Sequence, residues 1–420
     1  MLGTTAVVSI ALASLPALTA AAVCVVPTGL DDSAPAIIDA FRKCGHNSNQ
    51  SRGKVVFQNT TYTVGSVMNI TGLSNVDVDL QGTLAWDNSN LSYWLSNSLP
   101  VGYQNQSSAW LFGGSGIHWT GHGYGTFNGN GQAWYDFVKG ASNYPRRPHQ
   151  ITFTGVKDAV FEGLRFINSQ MWTMTVIHSE NVLLQDIYVN TTSINKSGTS
   201  NTDGADTIYA NNITFNRWVV YNGDDCISLK ANSTNILISN SICYRGQGIA
   251  FGSIGQYKNT FETIQNVVIR NLTASGTKFG TYFKTWTGIA QGYPPNGGGG
   301  GIGYMQNITL EDFKLVNTAN TLLVTQCTNY QGATGECDTS KFNIHDIALK
   351  NWSGTTRSGA AVSLDCSKAS PCYGFDVKNF GVIVSSNSSA PTSYCCDAVE
   401  NGTTTGFTCN APIWATNNGA

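Results

Sequence analysis

The sequence predicts an all-β chain, a single-stranded right-handed parallel β-helix closed at its N-terminal end by a short capping helix. Three observations carry that expectation. Beyond Lys54 the apolar residues come as short runs of β-formers, and no segment sustains a period of 3.6. An Asn followed by three or four β-formers recurs at Asn181, Asn212, Asn235, Asn266, Asn307 and Asn343, at steps of about 23 to 41 residues. The unit stays constant while the steps vary, so insertions of different length hang from one core register, which neither a sandwich nor a propeller predicts.

Taken in order, residues 1–22 read as a secretory signal. An apolar stretch from Ala6 to Leu18 runs into the small residues Thr19-Ala20-Ala21-Ala22, and it is too short for a membrane span. One domain, residues 23–420, is expected to follow, since solenoids grow along a single axis and reach this length without dividing. Asp31-Asp32-Ser33 can cap a helix from Ala34 to Cys44, with Ala36, Ile37, Ala40 and Phe41 at helical spacing. That helix is expected to cover the open first coil, whose strand edges would otherwise meet solvent. Strands are expected at Val55–Phe57, Val76–Leu80, Ile151–Phe153 and Val182–Leu184, among others.

Only 11% of the residues are charged and the net charge is −2, which excludes a basic nucleic-acid footprint. Eleven cysteines point to an oxidising compartment. Short-range pairing is expected for Cys24 with Cys44, Cys226 with Cys243, Cys327 with Cys337 and Cys366 with Cys372. Of Cys395 and Cys396, one then bonds Cys409 and the other is left over. A zinc site lacks His in ligand spacing. Repeated Asn-X-Ser/Thr sequons, among them Asn59, Asn69, Asn105, Asn190, Asn212, Asn232, Asn271, Asn307 and Asn351, fit a secreted glycoprotein.

Polar residues concentrate in four segments on successive coils: Asn201-Thr202-Asp203-Gly204, Gly223-Asp224-Asp225-Cys226, Gly246-Gln247-Gly248 and Tyr282-Phe283-Lys284. The steps from Asp203 to Asp225 and from Asp225 to Gln247 are both 22 residues. With one coil of that length the three positions stack about 4.8 Å apart up one face. Carboxylates stacked so closely do not all ionise freely, so one is expected to hold a proton at mildly acid pH, as a general acid must. A coil step plus a lateral offset is expected to set two carboxyls at the roughly 6.5–9.5 Å of an inverting glycosidase. Asp and Asn at turns also serve as plain backbone partners or calcium ligands. Adjacent acids one coil above another, however, are costly unless a function retains them.

These segments resemble glycoside hydrolase family 28, the polygalacturonases, whose runs are Asn-Thr-Asp, Gly/Gln-Asp-Asp, Gly-His-Gly and Arg-Ile-Lys in that order. The resemblance covers the chain from the entry helix to the final cysteines. The run Gly246–Lys258 and the glycines from Gly297 to Gly301 are similar to those of exo-acting fungal members. It implies a pectin-lyase-like solenoid in which Asp224 is the proton donor and Asp203 with Asp225 activates water. Asn201, Gln247, Tyr282, Lys284 and Trp286 are expected to bind substrate. No cofactor or metal is expected. The implied activity is a secreted, monomeric, inverting exo-hydrolase of pectic polysaccharide that releases galacturonic acid from non-reducing ends of (1,4)-α-galacturonan.

Two departures qualify it. Gln247 stands where the family has His, and Gln donates a hydrogen bond without titrating. Tyr282 stands where the family has the Arg that grips a sugar carboxylate in bidentate fashion. The alternative is therefore a rhamnogalacturonan exo-hydrolase with a neutral rhamnose on the leaving-group side, packed against Tyr282 or Phe283. His149, His178, Trp134 and Trp172 are read as structural, and Trp286 is retained as the stacking residue. Two further readings are a calcium-dependent lyase, with Arg245 as its only nearby base, and a non-catalytic pectin-binding protein.

Overall fold

The computed structural model describes residues 22–47, 51–290, 298–328 and 336–410. The signal expected at residues 1–22 therefore lies, but for Ala22, outside the described residues, as does Gly297 of the glycine run. Among the described residues twenty-seven strands join in one sheet that coils on itself, strand pairing in parallel with strand from one turn to the next. This is the right-handed parallel β-helix the sequence predicts.

Inward positions alternate with outward ones along each strand. In Ser233–Arg245, for example, Ile236, Ile238 and Cys243 are buried while Asn235 and Asn240 face solvent. The interior thus becomes one continuous stack of aliphatic and aromatic side chains. Aromatics plug the N-terminal coils, where Phe112 meets Trp119 at 4.9 Å and Phe127 stacks on Phe166 at 4.5 Å. Higher up, Phe251 lies flat on Phe283 at 4.2 Å.

The capping helix, α1, runs Ala34–Cys44 as expected, buries Ile37, Ala40 and Phe41, and is tied to the first strand by Cys24–Cys44. Of the expected Asp31-Asp32-Ser33 cap it is Asp32 that acts: its Oδ1 accepts from the amides of Ala34 (2.9 Å) and Gly65 (2.8 Å), while Ser33 makes no side-chain cap bond. Two further helices, α2 (Leu91–Asn97) and α3 (Gln132–Val138), were not expected; at seven residues each they are too short to show a period. Both sit in insertions that help build the cleft.

The recurring asparagines are left-handed turn residues with φ of 52–57°, at Asn181, Asn212, Asn235, Asn266 and Asn307. Asn tolerates this region better than other residues with a Cβ. Asn343 is a correction. Ile308 pairs with Ile347, so the position above Asn307 is Asp346 (φ 55°), three residues later. All five expected disulfides form, with Cys396 bonded to Cys409 and Cys395 buried as the free thiol.

Candidate active site

One pocket of about 460 Å³ takes in all eight of the predicted site residues: Asn201, Asp203, Asp224, Asp225, Gln247, Tyr282, Lys284 and Trp286. Asp203 and Asp225 are almost fully buried, and Asp224 is half-buried beside them. One oxygen from each of the three lies within 4.8 Å of the others. The coil repeat thus brings the carboxylates closer than the glycosidase spacing expected above, because Asp224 and Asp225 leave the same turn and Asp203 sits directly below.

The register also corrects the expected column. Asp206 pairs with Ser228, a step of 22, but Asp225 pairs with Gly248 and the ladder shifts before Ile227 meets Ile249. A bulge at the Asp224–Asp225 turn re-aims its side chains. As a result Gln247 lies over Asp224, whose carbonyl accepts from the Gln247 amide (2.8 Å), and not over Asp225. Cys226–Cys243 fastens the chain immediately after that bulge.

Each carboxylate is held differently. Asp224 accepts from two backbone amides, Asn201 N at 2.8 Å and Asp225 N at 3.0 Å. Burial, followed by the charge of Asp225, raises its pKa, and Lys284 with the two amides opposes the rise. Asp225 accepts from the Tyr282 hydroxyl at 2.6 Å and from the Lys284 ammonium at 3.1 Å, and Lys284 also donates to Tyr282 at 2.5 Å. Asp203 has no such partners among the described residues for Oδ1. Burial, then Asp224, Asp206 and Asp225, push its pKa well above the usual carboxylate range.

The remaining predictions fall into place around this cluster. Asn201 contributes its amide to Asp224 while its side-chain oxygen accepts from Asn143 N at 2.6 Å, so it joins the catalytic turn to the loop at 140–146. Trp286 is 1% exposed and packs against Gly298, where any Cβ would strike the indole. Contrary to the structural reading above, Trp172 lines the pocket, stacked on buried His149 at 4.3 Å. His178 is exposed and stacks on Tyr209 away from the pocket, and Trp134 is buried in α3.

Sequence reasoning missed three parts of the site. One is a buried ion pair beneath it, Lys230 to Asp206 at 3.4 Å, with the ammonium also 4.8 Å from the Trp172 ring centre. Burial pushes the Asp206 pKa up to about 7, with Lys230 opposing. A second is Arg147, fully buried behind the catalytic turn. The third is a strap: Leu99–Pro100 and Ser107–Ser108 form a hairpin, and its tip crosses to a distant coil. There Gln104 N donates to the Tyr257 hydroxyl (2.7 Å), Gln104 Nε2 to Gln256 (3.1 Å) and the Tyr103 hydroxyl to buried Glu262 (3.3 Å). From Leu111 to Ala250 the ladder takes five steps, so the strap climbs roughly 24 Å at about 4.8 Å per step. Of these, only Asp206 had a local signal, three residues beyond Asp203.

A parallel β-helix bearing three neighbouring carboxylates in a walled pocket defines a class of polysaccharide-cleaving enzymes. The chain belongs to the glycosyl hydrolases family 28, whose model matches residues 52–405, and it is a pectin-degrading glycoside hydrolase. It is 50% identical over 383 residues to the Aspergillus niger Alpha-L-rhamnosidase rgxB, covering 91% of this chain and 87% of the relative. It is 34% identical to the Aspergillus niger putative galacturan 1,4-alpha-galacturonidase A, covering 92% of each. In fold it is similar to the endo-xylogalacturonan hydrolase of Aspergillus tubingensis, with TM-score 0.76, 24% identity, and coverage of 93% of this chain and 100% of that one.

Proposed function

We propose that this enzyme is a secreted, monomeric exo-hydrolase that removes a terminal α-L-rhamnose from rhamnogalacturonan-type pectin. The observation that carries the reading is the apolar wall of the pocket, beside which three of the lining cations are engaged within the protein. Lys284 is turned onto Asp225 and Tyr282, Lys230 onto Asp206, and Arg146 onto the carbonyls of Leu95, Ser96 and Ser98. Around the carboxylates stand Trp172, Phe279, Tyr282, Trp286 and Leu323. An apolar wall of this kind suits a neutral sugar with a methyl group, which rhamnose has and galacturonic acid lacks. The half-identical relative named for rhamnose supports the same choice.

In this reading Asp224 gives its proton to the departing glycosidic oxygen. Asp225, held by Tyr282 and Lys284, and Asp203 orient a water that attacks the anomeric carbon, and the water's proton passes to one of these two carboxylates. An inverting outcome follows from the family resemblance, and the strap and the 140–146 loop support exo action by walling the pocket. Release of galacturonic acid from galacturonan is the second reading, favoured by the lysines at 230, 278 and 284 that line the pocket. Digestion of rhamnose-terminated rhamnogalacturonan oligomers and of oligogalacturonates, with Asp224→Asn as control, separates the two. Free rhamnose from the first substrate alone is expected; galacturonic acid from the second alone would establish the alternative. Proton NMR of the first product formed reads its anomeric configuration.

A further inference from the structure

Arg147 is fully buried, yet no carboxylate pairs with its guanidinium among the described residues. Nε donates to the carbonyl of Gln170 at 2.5 Å and Nη1 to the carbonyl of Ser200 at 3.0 Å, while Nη2 has no partner among the described residues. A buried cation bound only to peptide carbonyls is a costly arrangement that a well-packed apolar side chain would relieve. Its position suggests why it persists. Ser200 immediately precedes Asn201, whose amide holds Asp224, and Asp203 follows two residues later.

We propose that Arg147 is a positioning residue for the catalytic turn: it draws the Ser200 carbonyl inward so that the Asn201 amide meets Asp224, and it supplies positive charge behind Asp203 and Asp224. Lysine would reproduce the charge but not the fork that spans two carbonyls. Burial lowers the Arg147 pKa to about 10, and Tyr135, followed by Asp224 and Asp203, opposes it, so the charge is felt at both acids. Asp203, Asp225, Lys278 and Lys284 also face Asp224, and they remain in place when Arg147 is changed. The arrangement is distinct from the Lys284–Tyr282 clamp. That clamp holds the water-side Asp225 from above the pocket floor, whereas Arg147 does not line the pocket at all.

The inference rests on Asp224 as the acid and not on which sugar is released. Arg147→Gln and Arg147→Lys are compared with wild type and Asp224→Asn on whichever oligomer the wild type hydrolyses. In Arg147→Gln, kcat is expected to fall about 10- to 100-fold with KM within about threefold, because a displaced acid misaligns the chemical step more than binding. Loss of the nearby positive charge favours the protonated acid, so the alkaline limb of the kcat profile moves to higher pH. Arg147→Lys is expected to keep that limb near the wild-type position while recovering only part of kcat. Wild-type kcat and pH limb in a folded Arg147→Gln would overturn the proposal, as would a kcat loss in both variants that merely tracks the folded fraction. If Asp224→Asn stays active, it is the assignment of the acid that fails.

Discussion

Two edges of the same solenoid use the same stacking in opposite ways. Along the asparagine edge, side-chain amides donate to the oxygen one coil below: Asn212 to Asn181 (2.9 Å), Asn266 to Asn235 (3.1 Å) and Asn307 to Asn266 (2.8 Å). Asn235 turns aside and donates to Asn211 (2.8 Å); in the other steps donor meets acceptor from coil to coil, so repetition satisfies most of the column. Along the catalytic edge the column is Asp203, Asp206, Asp224 and Asp225, groups that when ionised can only accept. Repetition there accumulates like charge, and the fold answers with bulges, Lys230, Lys284 and buried oxygens left without partners. One edge gains stability from repetition, and on the proposed function the other tolerates like charge so that a proton can be held where it reacts.

The sharpest break in that contrast is Asp224→Asn. It is expected to cost about 10³-fold or more in kcat by removing the acid, in line with the usual contribution of proton transfer. Because it also removes a charge from a repelling cluster, its thermal midpoint is expected at or above the wild-type value. A fall in both activity and midpoint would mean that the cluster is a structural device.

The pH dependence of stability separates the edges next. Asp203, Asp206 and Asp224 all have folded pKa values above the unfolded one, so the native state holds more protons than the unfolded chain. Stability is therefore expected to be greatest near pH 4 and to fall as pH rises toward about 7, where Asp206 ionises. Asp203→Asn should flatten the slope, matching wild type near pH 4 and exceeding it at pH 7. Denaturant titrations at both pH values check this, and an unchanged slope would show that these acids ionise freely in the fold.

A smaller effect is expected from Tyr282→Phe, which removes the 2.6 Å hydrogen bond to Asp225 and leaves Lys284 as its partner. Roughly tenfold in kcat is expected, equivalent to about 1.4 kcal/mol, with little change in midpoint. Tyr282→Arg restores the family's residue. On the rhamnose reading it should reduce rhamnose release without creating galacturonic acid release of wild-type rate, as steady-state assays on both oligomers would show.

How legible each edge was in the sequence follows from the same contrast. A regular column repeats one residue type at one turn, so Asn181 through Asn307 were visible as a unit, and Asp203 and Asp225 were visible through their 22-residue step, with Asp224 as the neighbour of Asp225. The reading failed where an insertion shifted the phase, placing Asp346 and not Asn343 in the column, and where a bulge moved Gln247 from Asp225 to Asp224. Arg147 and Lys230 were invisible because nothing local distinguishes a buried cation from an exposed one. The strap was invisible because its partners, Gln104 and Tyr257, stand 153 residues apart.

The asparagine edge allows the mildest test, with two substitutions at Asn266 that divide its contribution. Asn266 has φ 55° and is exposed, donates to Asn235 and accepts from Asn307. Glycine keeps the left-handed turn free of strain and loses only the two exposed hydrogen bonds, so Asn266→Gly is expected to cost about 1 kcal/mol. Alanine loses the same bonds and adds a Cβ in the left-handed region, which costs roughly 1 kcal/mol more. Chemical denaturation of both variants should therefore rank wild type above Gly and Gly above Ala, with kcat unchanged because the column is remote from the pocket. Equal stability of Gly and Ala would put the whole effect in the hydrogen bonds. If Gly matches wild type and only Ala falls, the recurrence of Asn owes more to its tolerance of positive φ than to the ladder it forms.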